Sequence, residues 1–526
     1  MRDVHEFRPV YFLYPLLITA AGLYFISFTY TVGHGIDDGI HLVAAKALAM
    51  GKGLVMISDP AAPPAMQFPP AQSLFLTPIF MLWPDPPDNI IPLKSVSALF
   101  ALAFVAVSWF WLRRHVPGNV AILMTCLVAF HPETIRFSGA VMAEMGYGAA
   151  SLAALLLFDK AVEDQDNRIN MKVLVWACVM MTVAYLFRSV GIGLLIALPG
   201  LLAIKRRWGA SATMIIGFFI LASPWLLQSA FLGTPEYRTQ FWVLDLEDPT
   251  RGTIGLLGLF DRIELNSMTY VTETIPVHLF PILGSQRIIQ FSENLGLWPV
   301  LLIGRLILTL LVMVGALHRL RSGVRAPELY MIVYFGLLMI WHTRVQWKYM
   351  APITPILILY AYTGIVSLLD RLSERSSIKK TIIFACLGLL CISEGFRAAD
   401  AVRGGQIMQG RYDPYASAYA WLKQESSEDS LLMGFDHLGL YLYTGRKSLA
   451  PAMTRDPQDS LEYIDRTGAD YFIVQPRKTR NEGVSFDVKF QDPVLEKYPE
   501  RFSLVFKDTE NEIKVYRVNR PRLNYN

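Results

Sequence analysis

Two adjacent carboxylates, Asp37 and Asp38, stand four and three residues before His41 in the run Gly33-His-Gly-Ile-Asp-Asp-Gly-Ile-His41. On a helix this spacing lets either acid share a face with the imidazole. The pair directly follows an apolar stretch. At a partly desolvated membrane edge a carboxylate has a raised pKa unless a cation or metal pairs with it, and such a group can take a proton from a hydroxyl. Asp ahead of a helix is also a common N-cap. From sequence alone, cap and base are equally open for these two residues.

A second acid, Glu144, lies in the hairpin His131-Pro-Glu133-Thr-Ile-Arg136 to Tyr147, where another apolar stretch begins. An acid at a membrane edge is costly and marks a functional candidate, although it can also snorkel to water. Arg136 in the same hairpin is a candidate for substrate binding. So is Arg188, alone between two apolar runs in Phe187-Arg188-Ser189, where headgroup anchoring is the plainer role. The turn His342-Thr-Arg344-Val-Gln-Trp-Lys348-Tyr349, followed by Pro352 and Pro355, sets two cations beside aromatic residues. Tyr349 suits an interfacial belt, whereas Arg344 and Lys348 suit phosphate, as a forked and a point charge respectively. No Walker loop, zinc helix motif or Gly-x-Ser-x-Gly elbow is present.

The elements that must position these groups are membrane spans. Of the 526 residues, 53% are hydrophobic and 17% charged, with mean hydropathy +0.36. That excludes disorder and a wholly soluble enzyme. A net charge of +4 is too mild for a nucleic-acid partner. The four cysteines all lie in apolar runs, as buried thiols do. Apolar stretches are expected to cross the bilayer near 11–31, 95–112, 119–131, 142–158, 172–187, 189–204, 210–230, 296–316, 327–341, 350–369 and 380–397. With the N-terminus cytoplasmic, the basic clusters at Arg113-Arg114, Lys160 to Lys172, Lys205 to Arg207, Arg319 to Arg325 and Arg371 to Lys380 all fall inside.

Segments 32–94, 231–294 and 399–526 then lie outside and make up about half the chain. Function is expected there, because only those loops are long enough to build a site. Pro60, Pro63, Pro64, Pro69 and Pro70 stiffen the first outer loop, as a turn or as a cavity wall. The tail reads as a small α/β domain. Helices are expected at 415–424 and 460–465, and strands at 431–435, 471–474, 503–506 and 513–516. The domain division is therefore 1–398 for the membrane part and 399–526 for the outer domain. No internal repeat or inverted pair of broken helices stands out, which counts against a transporter.

The acidic pair opening a large first outer loop, the helix after it, the Pro69-Pro70 segment and the acid of the next outer hairpin together resemble the GT-C superfamily of polytopic glycosyltransferases. The nearest group is the bacterial relatives of protein O-mannosyltransferases and lipid A aminoarabinose transferases. The resemblance runs over about 10–397. The tail, with Tyr443-Thr-Gly-Arg446 after a strand-like run, is similar to the small outer domain of such enzymes. It implies a GT-C type, all-α polytopic membrane fold of about eleven transmembrane helices, with interfacial helices and a periplasmic α/β domain, in a bacterial inner membrane.

The resemblance further implies a polyprenyl-phosphate sugar donor, an acceptor hydroxyl on a glycan, lipid or protein, and inversion at the anomeric carbon. Asp37 matches the catalytic carboxylate, Asp38 its neighbour, Glu144 the second acid, and Lys348-Tyr349 the basic–aromatic turn. A divalent cation, Mg²⁺ or Mn²⁺, held by Asp37, Asp38, Glu144 and His41, is a further implication. Two residues depart from the pattern: His41 stands where relatives often carry Tyr, and Gln67-Phe68 where many carry Lys. Arg188, Arg344 or Lys348 must then meet the donor phosphate. The rival readings are a transporter or flippase of a lipid-linked glycan and a non-catalytic envelope assembly protein.

Overall fold

The structure, a computed structural model, describes residues 10–163, 168–232, 236–245, 248–341, 347–372, 376–410, 415–476 and 485–520. Arg344 lies outside the described residues. Each of the eleven apolar stretches lies mostly in a helix, the first ending at Ile26. Among the described residues, five helices are long and apolar enough to cross a membrane: Ile90–Leu112, Glu144–Val162, Trp208–Leu232, Trp298–Arg321 and Ala351–Arg371. Gly118–Phe130 and Pro132–Ser138 form a pair bent by 52° that makes a sixth if counted as one span. The bend falls at His131-Pro132, where proline cannot continue the hydrogen-bond ladder and the His131 side chain caps the next helix through Glu133 N. Tyr11–Ile26, Met171–Phe187, Ser189–Ile204 and Ala326–Ile340 are shorter apolar helices. The last stretch lies inside Ser376–Gly410, which carries the chain out to the sheet.

Close helix contacts fix the membrane part. A Cβ on Gly146 would sit 2.5 Å from the Phe187 ring, and one on Gly148 would sit 3.2 Å from Pro352 Cα. Glycine at both places draws the start of Glu144–Val162 against the end of Met171–Phe187 and against the turn after Tyr349. Small residues are how membrane helices approach closely.

Above the spans lies the helix Ile36–Ala49. It buries Ile40, Leu42, Val43, Ala45 and Ala47 against Leu76, Phe80, Leu93 and Val141. Leu76 and Phe80 belong to Ala71–Leu82, an apolar helix where sequence indicated only an apolar stretch after the prolines. Its twelve residues rise only about 18 Å, short of a bilayer core. The proline-rich loop before it is non-helical, as its composition requires.

Among the described residues of the tail a sheet has five strands: β1 (Leu432–Met433), β2 (Ser448–Leu449), β3 (Tyr471–Val474), β4 (Phe502–Asp508) and β5 (Ile513–Val518), in the order β2-β1-β3-β5-β4. β1 pairs parallel with β2 and β3, whereas β5 pairs antiparallel with β3 and β4. Along β3, Tyr471 and Ile473 face the helix Ala416–Glu425, and Phe472 and Val474 face the helix Pro457–Thr467. A strand covered on both sides reads as a continuous apolar run.

One reading is corrected here. The strand-like run before Thr444-Gly445-Arg446 is the helix His437–Thr444, ended by Gly445 in the left-handed conformation at φ +76°. β1 and β2 are parallel neighbours, and parallel strands need a crossover rather than a hairpin.

Candidate active site

Asp37 and Asp38 sit in the first turn of Ile36–Ala49, at the positive end of its dipole. They have different partners. Asp38 folds back to accept the backbone N–H of Gly33 at 2.9 Å and of Gly39 at 3.0 Å, so it ties the entry turn together. Asp37 accepts a hydrogen bond from Lys348 Nζ at 2.5 Å, across 311 residues of sequence. Lys348 lies in the tight turn Trp347–Tyr349, whose Tyr349 carbonyl accepts the Tyr334 hydroxyl at 2.7 Å.

Glu144 is fully buried at the start of its span and pairs with Arg188, which caps the end of Met171–Phe187. Its Oε2 has no hydrogen-bond partner among the described residues. The Arg188 guanidinium lies 5.5 Å from the Tyr349 ring centroid, and Lys348 Nζ lies 5.6 Å from the same centroid. Two acid–base pairs thus meet over one tyrosine, as cation–π contacts allow. Asp37 and Glu144, from separate hairpins, converge through Arg188 and Lys348. Arg136 is placed elsewhere in its hairpin: it is half-exposed, bonded to Glu133 at 2.7 Å and set over Phe137.

The electrostatics separate the two aspartates. Burial pushes Asp37 up, but the charge and hydrogen bond of Lys348, with Arg188 and His41, bring it below the ordinary carboxylate value. Burial raises Asp38, and the bonds from Gly33 and Gly39 and the nearby His34 only partly offset that. Different surroundings thus drive the acidities of these neighbouring carboxyls apart. His41 is buried, 3.5 Å from Ser73 Oγ and packed on Phe68. Burial pushes it down to about 4 against the pull of Asp37, so it is a neutral imidazole at neutral pH.

Five further residues escaped the sequence reading. Lys94 is buried at the start of Ile90–Leu112, bonded to Thr29 and within electrostatic reach of Asp38. It looked like the edge of a span, although a lone cation in an apolar helix was a usable signal. His34 bonds Asp436 at 3.0 Å and stacks on Tyr443 and Tyr419, while Tyr419 also donates to Asp436. Those partners are some 400 positions away, and nothing in local sequence announces them.

Among the described residues, no group of three or more His, Cys, Asp or Glu side chains could hold a metal ion. Asp37, Asp38 and Glu144 address an ammonium, two backbone amides and a guanidinium respectively. This donor set does not fit the Mg²⁺ or Mn²⁺ expected on them with His41, and no step below is routed through a metal.

No family model and no curated protein matches the chain. Solved structures do. ArnT from Cupriavidus metallidurans, bound to undecaprenyl phosphate, is 13% identical with a TM-score of 0.58, covering 96% of this chain and 97% of its own. AglB, an archaeal oligosaccharyltransferase from Archaeoglobus fulgidus, in complex with an inhibitory peptide and a dolichol-phosphate, is 11% identical with a TM-score of 0.56, covering 99% of this chain and 76% of its own. The Archaeoglobus fulgidus oligosaccharyltransferase in complex with Zn and sulfate is similar at a TM-score of 0.53 and 11% identity, covering 96% and 73%. At such identities the likeness establishes the fold alone, a polytopic membrane-protein fold shared with ArnT and AglB.

Proposed function

We propose that this chain is an integral-membrane glycosyltransferase that moves a sugar from a polyprenyl-phosphate donor to an acceptor hydroxyl. The observation that carries this reading is the meeting of Lys348–Asp37 and Arg188–Glu144 over Tyr349. It supplies two cations for a phosphate and a carboxylate for a hydroxyl proton. ArnT bound to undecaprenyl phosphate and AglB with a dolichol-phosphate, both of this fold, make a prenyl phosphate the natural donor carrier.

The donor phosphate competes with Asp37 for Lys348. Once Lys348 turns to the phosphate, burial is the largest influence left on Asp37, and burial strengthens a carboxylate as a base. Substrate binding therefore arms the base. Asp37 takes the acceptor O–H proton as the acceptor oxygen bonds to the anomeric carbon. The anomeric C–O bond breaks, and the phosphate leaves with its electron pair against Lys348 and Arg188. This single displacement inverts the anomeric centre. Glu144 holds Arg188 in place, and neutral His41 packs beside Asp37 without competing for its proton.

All eleven apolar stretches then cross a bacterial inner membrane, with the N-terminus cytoplasmic and residues 399–526 forming the periplasmic unit. The test is Asp37→Asn, assayed for sugar transfer from a polyprenyl-phosphate donor. Turnover should fall by about 10²- to 10⁴-fold while undecaprenyl phosphate binding persists. Unchanged turnover removes Asp37 from the chemistry.

A further inference from the structure

A cavity of about 500 Å³ opens between Tyr11–Ile26, Gly118–Phe130 and Ser376–Gly410, away from the Asp37 cluster. Leu23, Leu127 and Phe130 make its walls apolar. Two charged residues of one helix line it. Glu394 is 4% exposed, and its Oε2 has no hydrogen-bond partner among the described residues. Arg403 is exposed nine residues further on, about 13 Å along the helix axis. A buried acid with one oxygen left unsatisfied at an apolar cavity is costly, and a ligand oxygen that completes a hydrogen bond with it lowers the cost.

A chain of contacts leads from Glu394 toward the Lys348 turn. Glu394 Oε1 lies 3.7 Å from His131 Nε2, which hydrogen-bonds the His278 carbonyl at 2.9 Å. The two imidazoles pack at 4.2 Å between centroids. His278 Nε2 is bonded to Thr354 Oγ1 at 2.8 Å, and that hydroxyl donates to the Ala351 carbonyl at 2.8 Å. Ala351 follows Lys348 by three residues.

We propose that this cavity is a second lipid site, taking one phospholipid of the surrounding bilayer, and that its occupancy steadies the Lys348 turn through His131, His278 and Thr354. An acyl chain lies against Leu23, Leu127 and Phe130. Glu394 in its protonated form donates from Oε2 to an ester carbonyl of the lipid, and the phosphate meets Arg403. These are the three chemistries of a phospholipid in the order the cavity presents them. The lipid site requires only that these helices lie in a bilayer, so it stands or falls apart from the transferase reading.

The test is native mass spectrometry of the full, delipidated chain titrated with phosphatidylglycerol or with diacylglycerol. It is paired with hydrogen–deuterium exchange over residues 347–353. One phosphatidylglycerol should be retained per chain and should slow exchange in that segment. Glu394→Leu and Arg403→Gln should each weaken retention by about two- to tenfold, the worth of one lost hydrogen bond or charge contact. Leu127→Trp, which fills the cavity, should abolish retention. Equal retention by Leu127→Trp, Glu394→Leu and the unaltered chain overturns the site. Diacylglycerol retained as tightly as phosphatidylglycerol overturns the phosphate contact at Arg403. Retention without slower exchange at 347–353 overturns the coupling.

Discussion

Asp37 is held between two opposing influences: a buried setting that favours its proton and an ammonium 2.5 Å away that removes it. Lys348→Met separates them. The pair holds the folded-state pKa of Asp37 below 3.8, so its stabilisation is complete above that value and is lost as pH falls through the depressed one. Without Lys348 the carboxyl rises, and ionised Asp37 is reached only at higher pH. The acid limb of kcat/KM in Lys348→Met should therefore move to higher pH, with KM for the donor increased, in a pH–rate profile against the unaltered chain. An unmoved limb would show that Asp37 does not titrate in the reaction. The charged members of this site were legible, because acids and cations at the edges of apolar runs are rare enough to stand out. Their pairing was not, since Asp37–Lys348 spans 311 positions and Glu144–Arg188 spans 44.

The element that carries Asp37 is held from above by the sheet unit. Leu438 and Leu442 of the crossover helix pack into the same core as Ile40, Leu42 and Val43. Lys447 Nζ donates to the Ile57 carbonyl at 2.5 Å, and Ser448 N donates to the Ser58 carbonyl at 2.8 Å. A Cβ on Gly39 would fall 2.7 Å from Leu438 Cδ1 and 2.8 Å from its Cβ, too close for either to stay in place. Gly39→Ala should cost about 1–3 kcal/mol as an overpacked contact, measured as a lower midpoint of thermal unfolding with faster proteolysis between 411 and 450. An unchanged midpoint and cleavage rate would mean that this contact does not hold the unit down. β3 could be read at its full extent because both its faces are covered and every residue from Tyr471 to Val474 is apolar. The crossover helix could not, because Leu438-Gly-Leu-Tyr-Leu-Tyr443 alternates like a strand and only the parallel pairing of β1 with β2 demands a helix there.

On the scale of the whole molecule, the proposed orientation rests on charge and span order. Each basic cluster follows an even-numbered apolar stretch, so the proposal has Arg113 on one side and the sheet unit on the other. With the four native cysteines replaced by Ala, Asp429→Cys should react with a membrane-impermeant maleimide in intact spheroplasts. Arg113→Cys should react only after permeabilisation. The reverse pattern would invert the topology. Hydropathy located the apolar helices, each stretch lying mostly in one, and five of those described are long and apolar enough to cross a membrane. The apolar helix Ala71–Leu82 was hidden because it follows a proline-rich loop and itself contains Pro78.

The convergence of two acids and two cations on one lipid-phosphate site is tested most directly by a cryo-electron microscopy structure of the full chain with undecaprenyl phosphate. The expected result is phosphate density within hydrogen-bonding distance of Lys348 Nζ and the Arg188 guanidinium, with Asp37 released from Lys348. Phosphate bound elsewhere, with the Asp37–Lys348 bond intact, would contradict it.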